Sequence, residues 1–451
     1  MKINSVTFFS DNLGVNASEH LRVLGPLNHA GIDVKKEIAS GFFDERKIKD
    51  TDLVVIQRDF SRHTKFFLDL ISSAKEQGKP VVLDLDDDFL NLPTYHPDRL
   101  SGVFTDSLLS LLYAITAVDA VTVTTQALYD VVAEFTKSVY LLPNYLDDAI
   151  WKIKPLPQNK QDEKVKLIYI AGQSHYPDLE SIKPALLNIS NKYESKAEFI
   201  FYGVEHPILK LLNNAVHIPT KTYEYIKFAE DVNNLDAAIG IAPLVNNQFN
   251  DSKSALKFLE YSAIGLAGVF SNVTAYNQTV EAGITGLLSA SQDEWEKNIS
   301  LLIDDDEYRR TIATNAQQEV QANWLLRDHA HKWIETYEQI YNDFGKSQIG
   351  ISPVVQEIIK GIAIQTEEKV VRDDEYVEDL KESIKQLKQE TEKLTTEFVT
   401  ARNEVVDCKQ ETERLTSELV ETKNEVVDYA TSTSWKITRP MRKIMKKIRR
   451  S

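Results

Sequence analysis

The chain has 451 residues, 42% of them hydrophobic, and a formal net charge of −16 at pH 7. It is too long for a single hydrophobic core, so we expect at least two domains, and its acidic balance argues against general nucleic-acid binding. Its single cysteine, Cys408, excludes an intrachain disulfide and a cysteine-based zinc cluster, and fits a reducing compartment.

The first 150 residues alternate short apolar runs with amphipathic stretches. The pattern predicts helices at 17–30, 66–75 and from Gln126 onward, and strands at 3–9, 52–57, 81–83, 119–124 and 140–142. Strands that alternate with helices are typical of a doubly wound parallel sheet. We therefore expect an α/β domain over residues 1–150, which opens on a strand pattern and not on a secretory signal.

The same alternation restarts after a polar, proline-bearing stretch, which predicts a hinge within residues 151–163. Here the pattern predicts a helix at 178–193 and strands at 165–171, 197–202 and 235–241. We therefore expect a second Rossmann-like α/β domain over 164–330. A final helix over 331–345 and a linker over 346–376 would follow it.

The strongest functional signal lies in residues 253–287. A basic helix start with Lys253, Ser254 and Lys257 leads through Glu260 into a small-residue helix, an apolar strand and a return with two glycines. The free N–H groups and the dipole of a helix start favour an anion such as phosphate. The strand that follows indicates the edge of a parallel sheet, where α/β proteins bind ligands.

This stretch resembles the donor-sugar motif of the large retaining family of GT-B glycosyltransferases, K-x-x-E-Y-x-A-x-G followed by a strand and G-x-x-G-x-L. The resemblance implies that Glu260 binds the ribose of a nucleotide sugar and that Lys253 and Lys257 lie near its diphosphate. It also implies two Rossmann-like domains with a cleft between them, and a last helix that crosses back to the first domain. The chain departs from the motif at Ser252, where many members carry a glutamate, and at 267–269, which reads Ala-Gly-Val in place of Pro-Val-Val.

Other donor-side candidates follow the predicted strands of the second domain. The turn after the first strand offers hydrogen-bond donors but no cation, and consists of Gly172, Gln173, Ser174 and His175. In the resembled family this turn faces the diphosphate, although His175 fits a local helix-entry role equally well. Gly203 ends the next strand, and Tyr276 could either stack on the nucleotide or fill the core.

An acidic run in the first domain, Asp84 to Asp88, directly follows an apolar strand. It resembles the opening of haloacid-dehalogenase-like phosphatases, where Asp84 would be the nucleophile and Asp86 the acid. On the transferase interpretation Asp84 contributes to catalysis, and Asp86, His96 and Gly14 lie on the acceptor side of the cleft. A helix-capping role for the acidic run remains a third interpretation.

Residues 377–429 follow a heptad pattern. Apolar residues at a positions, such as Val377 and Ile384, and at d positions, such as Leu380 and Leu387, predict a coiled coil. The segment 389–408 recurs as 410–429, an offset of three whole heptads. β-Branched a residues with leucine at d favour a parallel dimer, so we expect a homo-oligomer through this segment.

The last residues, 434–451, form a basic tail with eight basic and no acidic residues from Lys436 onward. Met441, Ile444, Met445 and Ile448 share one helical face, which predicts an interfacial helix that binds an anionic membrane through 435–451. A disordered or nucleic-acid-binding tail is the alternative. The phrase S-W-K-I-T-x-P-x-R resembles tails of bacterial surface-polysaccharide glycosyltransferases.

Together these patterns favour a glycosyltransferase that moves a sugar from a nucleotide sugar to a lipid-linked or growing polysaccharide. We expect it in the cytoplasm, peripheral on the inner face of the membrane, with no metal and no cofactor besides its nucleotide-diphosphate sugar substrate, and without a nucleic-acid partner. A phosphatase that uses Asp84 and Asp86 is one alternative. The other is a non-catalytic coiled-coil scaffold with a degenerate transferase domain, which Ser252 leaves open.

Overall fold

The computed structural model describes residues 2–38, 43–58, 64–101, 107–156, 163–346 and 350–449. The chain divides into one unit over residues 1–370 and another over residues 371–451. The first unit contains two α/β halves, and the second is helical. Residues 157–162 of the predicted hinge lie outside the described residues.

Six parallel strands form the sheet of the first half, in the order β2-β1-β3-β4-β5-β6. They are β1 Ser5–Ser10, β2 Asp33–Ile38, β3 Leu53–Gln57, β4 Val81–Leu85, β5 Ala120–Val123 and β6 Val139–Leu141. Alternate residues of β3 belong to different hydrophobic clusters, Val54 and Ile56 to one, Leu53 and Val55 to the other. Both faces of the sheet are therefore covered, which explains the uninterrupted apolar runs of its central strands.

The helices of the first half connect these strands. Helix α1 consists of a turn at Ala17–Glu19, a π-helical segment at His20–Leu24 and a last turn at Gly25–His29. The others are α2 Arg46–Lys49, α3 Thr64–Glu76, α4 Pro97–Leu100, α5 Leu108–Ala117 and α6 Gln126–Ala133.

The second half has a sheet of the same kind, with the strand order β12-β11-β10-β7-β8-β9, all parallel. Its strands are β7 Val165–Ala171, β8 Ala197–Gly203, β9 Ala215–Ile218, β10 Ile239–Ala242, β11 Ala267–Ser271 and β12 Leu287–Ser289. Its helices are α7 Tyr176–Ser181, α8 Lys183–Lys192, α9 Tyr225–Asn233, α10 Gln248–Asp251, α11 Leu256–Ala263, α12 Thr274–Asn277, α13 Gln292–Asp304 and α14 Asp306–Asn323. The predicted fold class, two Rossmann-like doubly wound α/β halves, is confirmed.

Two further helices, α15 Leu326–His329 and α16 His331–Asp343, return to the first half. The indole N–H of Trp333 donates a hydrogen bond to the backbone carbonyl of Arg22 at 2.8 Å. Trp333, Tyr337 and Ile340 also belong to the same hydrophobic cluster as Phe8 of β1. The chain thus covers the first sheet with a helix that follows the second sheet in sequence.

The chain ends in two helices, α17 Pro353–Thr431, which is 79 residues long, and α18 Thr433–Ile448. The prediction of a linker over 346–376 is corrected, because α17 already begins at Pro353. Its first turns are not free: Ala363 is fully buried, and Ile359 packs on a core cluster of the first half. In the described part of the chain, no helix combines the length and the apolar character that a membrane span requires.

Candidate functional site

The neighbouring strands β7 and β10 mark the switch point of the second sheet. The chain continues from β7 to one side of the sheet and from β10 to the other side. Ligands of open α/β sheets bind at such a point, beyond the carboxyl ends of the strands. Strand β7 ends at the turn that begins with Gly172 and β10 ends at Pro243, so this edge is the candidate site.

A buried carboxylate fixes the turn after β7. Asp178 accepts hydrogen bonds from the imidazole Nδ1 of His175 at 2.8 Å and from the backbone N–H of Val245 at 2.7 Å. Because Nδ1 of His175 is engaged, its Nε2 is the ring atom left for a ligand. Asp178 was not among the predicted site residues. Its place in the first turn of α7, three residues after His175, is the signal that could have found it.

The side chain of Lys253 lies against this turn. A narrow pocket, with room for about one water molecule, is lined by Ser174, His175 and Lys253 of the second half and by His96 of the first half. The Lys253 ammonium lies 3.4 Å from each carboxylate oxygen of Asp87. The structure therefore brings four predicted residues together across the cleft, on both sides of this narrow space.

Lys257 and Glu260, both predicted site residues, are bonded to each other. The Lys257 ammonium lies 3.0 Å from one carboxylate oxygen of Glu260, and the hydroxyl of Tyr225 donates to the other at 3.4 Å. Glu260 is 1% exposed, whereas the Lys257 side chain is 24% exposed. The lysine is thus the outer and the glutamate the inner member of a pair one helical turn apart on α11.

His96 is positioned as a neutral hydrogen-bond donor. Its Nδ1 accepts a hydrogen bond from the backbone N–H of Asp98 at 3.3 Å. Burial lowers the pKa of His96, and the charge of Lys253 lowers it further while Asp98 opposes the change. In the neutral ring the proton then resides on Nε2. His96 therefore offers a hydrogen-bond donor to the cleft at neutral pH.

Side chains of the first half also hold the segment before α11. The Asn144 amide donates to the Ser254 hydroxyl at 2.9 Å, and the Thr125 hydroxyl donates to the Ser252 carbonyl at 2.8 Å. A second pocket of about 210 Å³ lies along this junction, with Thr125, Asn144, Lys253 and Ser254 in its lining. Ser252 is buried in this contact. The position of the missing glutamate is therefore occupied by a junction between the halves.

Two predicted glycines differ in their role. Gly203 has φ +92°, and a Cβ at this position would lie 2.4 Å from the carbonyl oxygen of Ala171, at the end of the adjacent strand β7. Only glycine fits this conformation and this close approach. Gly14 is exposed in the loop after β1, where its carbonyl accepts a hydrogen bond from Lys36. That loop also contacts the second half, since Tyr225 N–H donates to Val15 at 3.0 Å.

Asp84 lies in the core and not in the cleft. It is 1% exposed, and its two oxygens accept hydrogen bonds from Nε and Nη2 of Arg22, each at 3.0 Å, while Thr122 adds a third at 2.6 Å. An enclosed and fully bonded carboxylate cannot reach a substrate. The prediction that Asp84 is catalytic is therefore corrected to a structural ion pair, and the phosphatase interpretation loses its nucleophile.

Asp86 lies closer to the surface and forms an ion pair with Arg58. Burial raises the pKa of Asp86, but the charge of Arg58 and the hydrogen bonds from Ser18 and Arg58 outweigh it, so the pKa falls below its usual value. An ionised carboxylate suits the binding of hydroxyl groups better than the donation of a proton. The placement of Asp86 on the acceptor side stays a prediction.

Tyr276 fills the core. It is 5% exposed, and its ring centroid lies 5.0 Å from that of Phe270 on β11. Burial raises the pKa of its hydroxyl well above the usual value. Because this ring has no free face, the prediction that it stacks on a nucleotide is corrected to a packing role.

One group among the described residues has the spacing of metal ligands, namely His29, Asp147 and Asp148, whose ligand atoms lie within 4.8 Å of one another. Both oxygens of Asp147 already accept hydrogen bonds, from His20 at 2.7 Å and from His29 at 2.8 Å. Burial opposes the ionisation of Asp147, yet these bonds lower its pKa to about 2. The group is a satisfied polar cluster, and we assign no metal to it.

Comparison with known proteins shows what this chain is similar to. Residues 192–335 match the family model described as glycosyl transferase-like. No curated protein matches the chain in sequence. Among solved structures, HepE of Anabaena, in complex with UDP and glucose, has a TM-score of 0.54 at 14% identity, over 74% of this chain and 100% of its own. Sucrose-phosphate synthase of Thermosynechococcus elongatus has a TM-score of 0.52 at 14% identity, over 75% of this chain and 99% of its own.

The expected resemblance to GT-B glycosyltransferases is thus confirmed. The family match begins at the last residue of α8 and ends within α16, and so includes the whole of 253–287. The structural matches span both halves of the fold and establish its architecture. Residues 192–335 are similar to a glycosyl transferase-like domain, and the chain shares the fold of these two solved structures.

Proposed function

We propose that this GT-B glycosyltransferase moves a sugar from a nucleoside-diphosphate sugar to a hydroxyl group of a lipid-linked or growing cell-surface polysaccharide, at the cytoplasmic face of the membrane. The observation that carries the proposal is the pocket between the halves. There Lys253 and the turn residues Ser174 and His175 of the second half lie with His96 of the first half.

The donor binds the second half. Lys253 and Lys257 compensate the charge of the diphosphate, and the N–H groups of the turn after Gly172 add hydrogen bonds. Glu260 accepts hydrogen bonds from the ribose hydroxyls once Lys257 turns from it towards the diphosphate. The complexes of HepE with UDP and with UDP-glucose support a nucleotide sugar as the donor class.

The acceptor enters from the first half. His96 donates a hydrogen bond through Nε2, and Asp86, ionised beside Arg58, accepts one from a sugar hydroxyl. Catalysis then rests on two effects: positioning of the acceptor hydroxyl against the sugar carbon, and neutralisation of the departing diphosphate by the lysines. The proposal assigns the diphosphate charge to protein cations and includes no metal or cofactor.

The C-terminal helices place the enzyme on its acceptor. In α18 the side chains of Met441, Ile444 and Met445 are exposed along one face, and cationic residues surround them. Such a helix binds an anionic lipid surface through apolar burial and charge together. We further propose that the heptads of 377–429 form a homodimer, which would double the number of membrane contacts per particle.

The donor assignment is tested by a thermal-shift screen of nucleotide sugars on the wild type and on Glu260→Gln. We expect one donor class to raise the Tm of the wild type by several degrees, because a ligand at 100 times its Kd adds about 2.7 kcal/mol to stability. Glu260→Gln should lose most of this shift. Glu296→Gln, on the surface of α13, is the matched control and should keep it.

Absence of stabilisation by any nucleotide sugar would contradict the donor assignment. Binding without transfer to any glycan acceptor would instead support the non-catalytic scaffold. Because Glu260→Gln also disturbs the ion pair with Lys257, the ligand-induced shift is compared and not the Tm itself.

The membrane assignment is tested by flotation with vesicles that contain about one third anionic lipid, a composition for which each exposed cation contributes about 1 kcal/mol. The full chain should float, and a chain that ends at Ser434 should remain at the bottom of the gradient. Ile444→Asp should weaken flotation while it leaves nearly all of the charge in place. Undiminished flotation of the shortened chain would overturn the assignment.

A further inference from the structure

The exposed seam of α17 differs from the rest of the surface of this chain. Large apolar side chains at the a and d positions of residues 377–429 are all more than 40% exposed, among them Leu387, Phe398, Val405, Leu419 and Tyr429. A helix of this length with such a seam requires a partner to bury it. The partner's chemistry can be deduced from the charges that flank the seam.

The two flanks of the seam carry opposite charge. The g positions from the second heptad onward are all glutamate: Glu390, Glu397, Glu404, Glu411, Glu418 and Glu425. The e positions are basic or neutral, with no acidic residue: Lys381, Lys388, Thr395, Arg402, Lys409, Thr416 and Lys423. The helix is thus acidic along one edge of its apolar stripe and basic along the other.

We infer that a second copy of this chain covers the seam, parallel and in register. In a parallel pair each g residue faces the e residue five positions later on the other helix. Glu397 then faces Arg402, Glu404 faces Lys409 and Glu418 faces Lys423, on both sides of the pair. This inference rests on the proposed homodimer; it supports the expected parallel direction from the flanking charges and adds the register.

The opposite direction is disfavoured by the same charges. In an antiparallel pair g residues face g residues, and e residues face e residues. Such a pair would align glutamate with glutamate along one edge and cations with cations along the other. Within the described chain Arg402, Lys409 and Lys423 have no ion-pair partner of their own, so these cations are available to a second helix.

The register follows from the internal repeat. A shift of 21 residues, the offset between 389–408 and 410–429, keeps the seam in phase and pairs Glu418 with Arg402. That shift displaces the helices by about 30 Å and leaves three heptads unpaired at each end. The in-register pair covers all eight heptads, and among parallel registers it alone places the two Cys408 residues in the same d layer. Both C-terminal tails then leave the rod at the same end.

Cys408 allows a direct test, since it is the only cysteine and is exposed. Full-length protein is treated with diamide and examined on a non-reducing gel. We expect a covalent dimer for the wild type and none for Cys408→Ser. In the Cys408→Ser background, Leu387→Cys and Leu415→Cys, both at d, should crosslink at least about tenfold faster than Gln410→Cys at the outward f position.

Each competing arrangement has its own result. An antiparallel pair can crosslink at no more than one of the three d positions, near its symmetry axis. A pair shifted by 21 residues brings none of the three close to its own copy. Either pattern would overturn the inference, as would a wild-type mass equal to one chain of 51.3 kDa at micromolar concentration.

Charge reversal tests the flanks without cysteine. The triple variant Glu397→Lys, Glu404→Lys, Glu418→Lys and the triple variant Arg402→Glu, Lys409→Glu, Lys423→Glu should each dissociate to single chains at low salt. An equal mixture of the two should form a heterodimer, because opposite charges face each other again. Failure to form it would overturn the pairing of the charged flanks, whereas the direction is tested by the crosslinks. None of these variants touches the donor pocket, so the donor-induced thermal shift remains and a failure of the rod is distinct from a failure of the proposed transferase activity.

Discussion

Replacement of Lys253 with methionine should lower kcat/KM for the nucleotide-sugar donor by about 10²–10³-fold, the usual loss when one group that stabilises a developing negative charge is removed. The reason lies in the position of the ammonium. It faces the pocket lined by Ser174 and His175, at the carboxyl end of β7, where we propose that the diphosphate of the donor binds. Methionine keeps the apolar stem of lysine but removes the charge, and with it the cation–π contact of the ammonium, 4.4 Å from the centroid of the Phe249 ring.

The effect should fall mainly on kcat. The charge of the diphosphate grows as the bond to the sugar breaks, so a cation stabilises the transition state more than the bound donor. Initial rates over a range of donor concentrations separate the two constants. Lys253→Arg should recover part of the rate because it retains the charge, although its planar head fits differently.

Lys297→Met on the exposed surface of α13 is the matched control, since it removes the same charge from a residue that does not line the pocket. It should leave both constants unchanged. A loss smaller than tenfold for Lys253→Met would show that Lys253 does not carry the diphosphate charge. If Lys257→Met then gave the large loss, the role would belong to the outer lysine of α11.

The sequence predicted those parts of the fold in which burial is uniform. Strands β3, β4 and β5 are covered on both faces, so each is a continuous apolar run. The edge strand β2, with the sequence DVKKEI, was missed because its side chains are half or fully exposed. Its pairing with β1 comes from backbone hydrogen bonds, which leave no trace in hydrophobicity.

The sequence predicted those site residues whose position depends on the ends of strands. Lys253, Ser174, His175 and His96 all follow predicted strands or open predicted helices, and the topology brings them to one edge. Their partners were not predictable, because each contact joins distant segments: Asn144 meets Ser254 across 110 residues. Sequence pattern specifies which face a residue occupies, but not the residue that lies opposite.

The acidic run shows that an unpredicted partner can also make a structural residue look catalytic. A strand that ends in Asp84 has the pattern of a catalytic aspartate, and only the position of Arg22 decides otherwise. Arg22 lies in the π-helical segment His20–Leu24 of helix α1, where it is buried. A π-helix has one more residue per turn than an α-helix, so the side chains of this segment point in other directions than an α-helix would give. No periodic signal in the sequence marks that segment, so the buried pair was mistaken for a site.

The pair itself leads to the second large effect: Arg22→Met should destabilise the first half by about 3–5 kcal/mol, the usual cost when one partner of a buried ion pair is removed and the other remains. The guanidinium is fully buried and has more than one partner. Besides Asp84 it donates to the carbonyl of Leu142 and to the amide oxygen of Asn144, at 3.1 Å for Asn144. Methionine satisfies none of these acceptors.

Asp84→Asn tests the same pair from the other side and separates structure from chemistry. It should destabilise the protein to a similar degree, because Arg22 would remain charged and buried without a counter-charge. Asp98→Asn, half exposed on α4, should change stability little. Urea unfolding, followed by circular dichroism and by tryptophan fluorescence, measures the free energy of unfolding of these three variants. The double variant Arg22→Met/Asp84→Leu should regain much of the lost stability, because no buried charge remains. If Asp84→Asn were instead as stable as the wild type, the carboxylate would not be needed by the core, and a role in binding or chemistry would have to be considered again for this strand end.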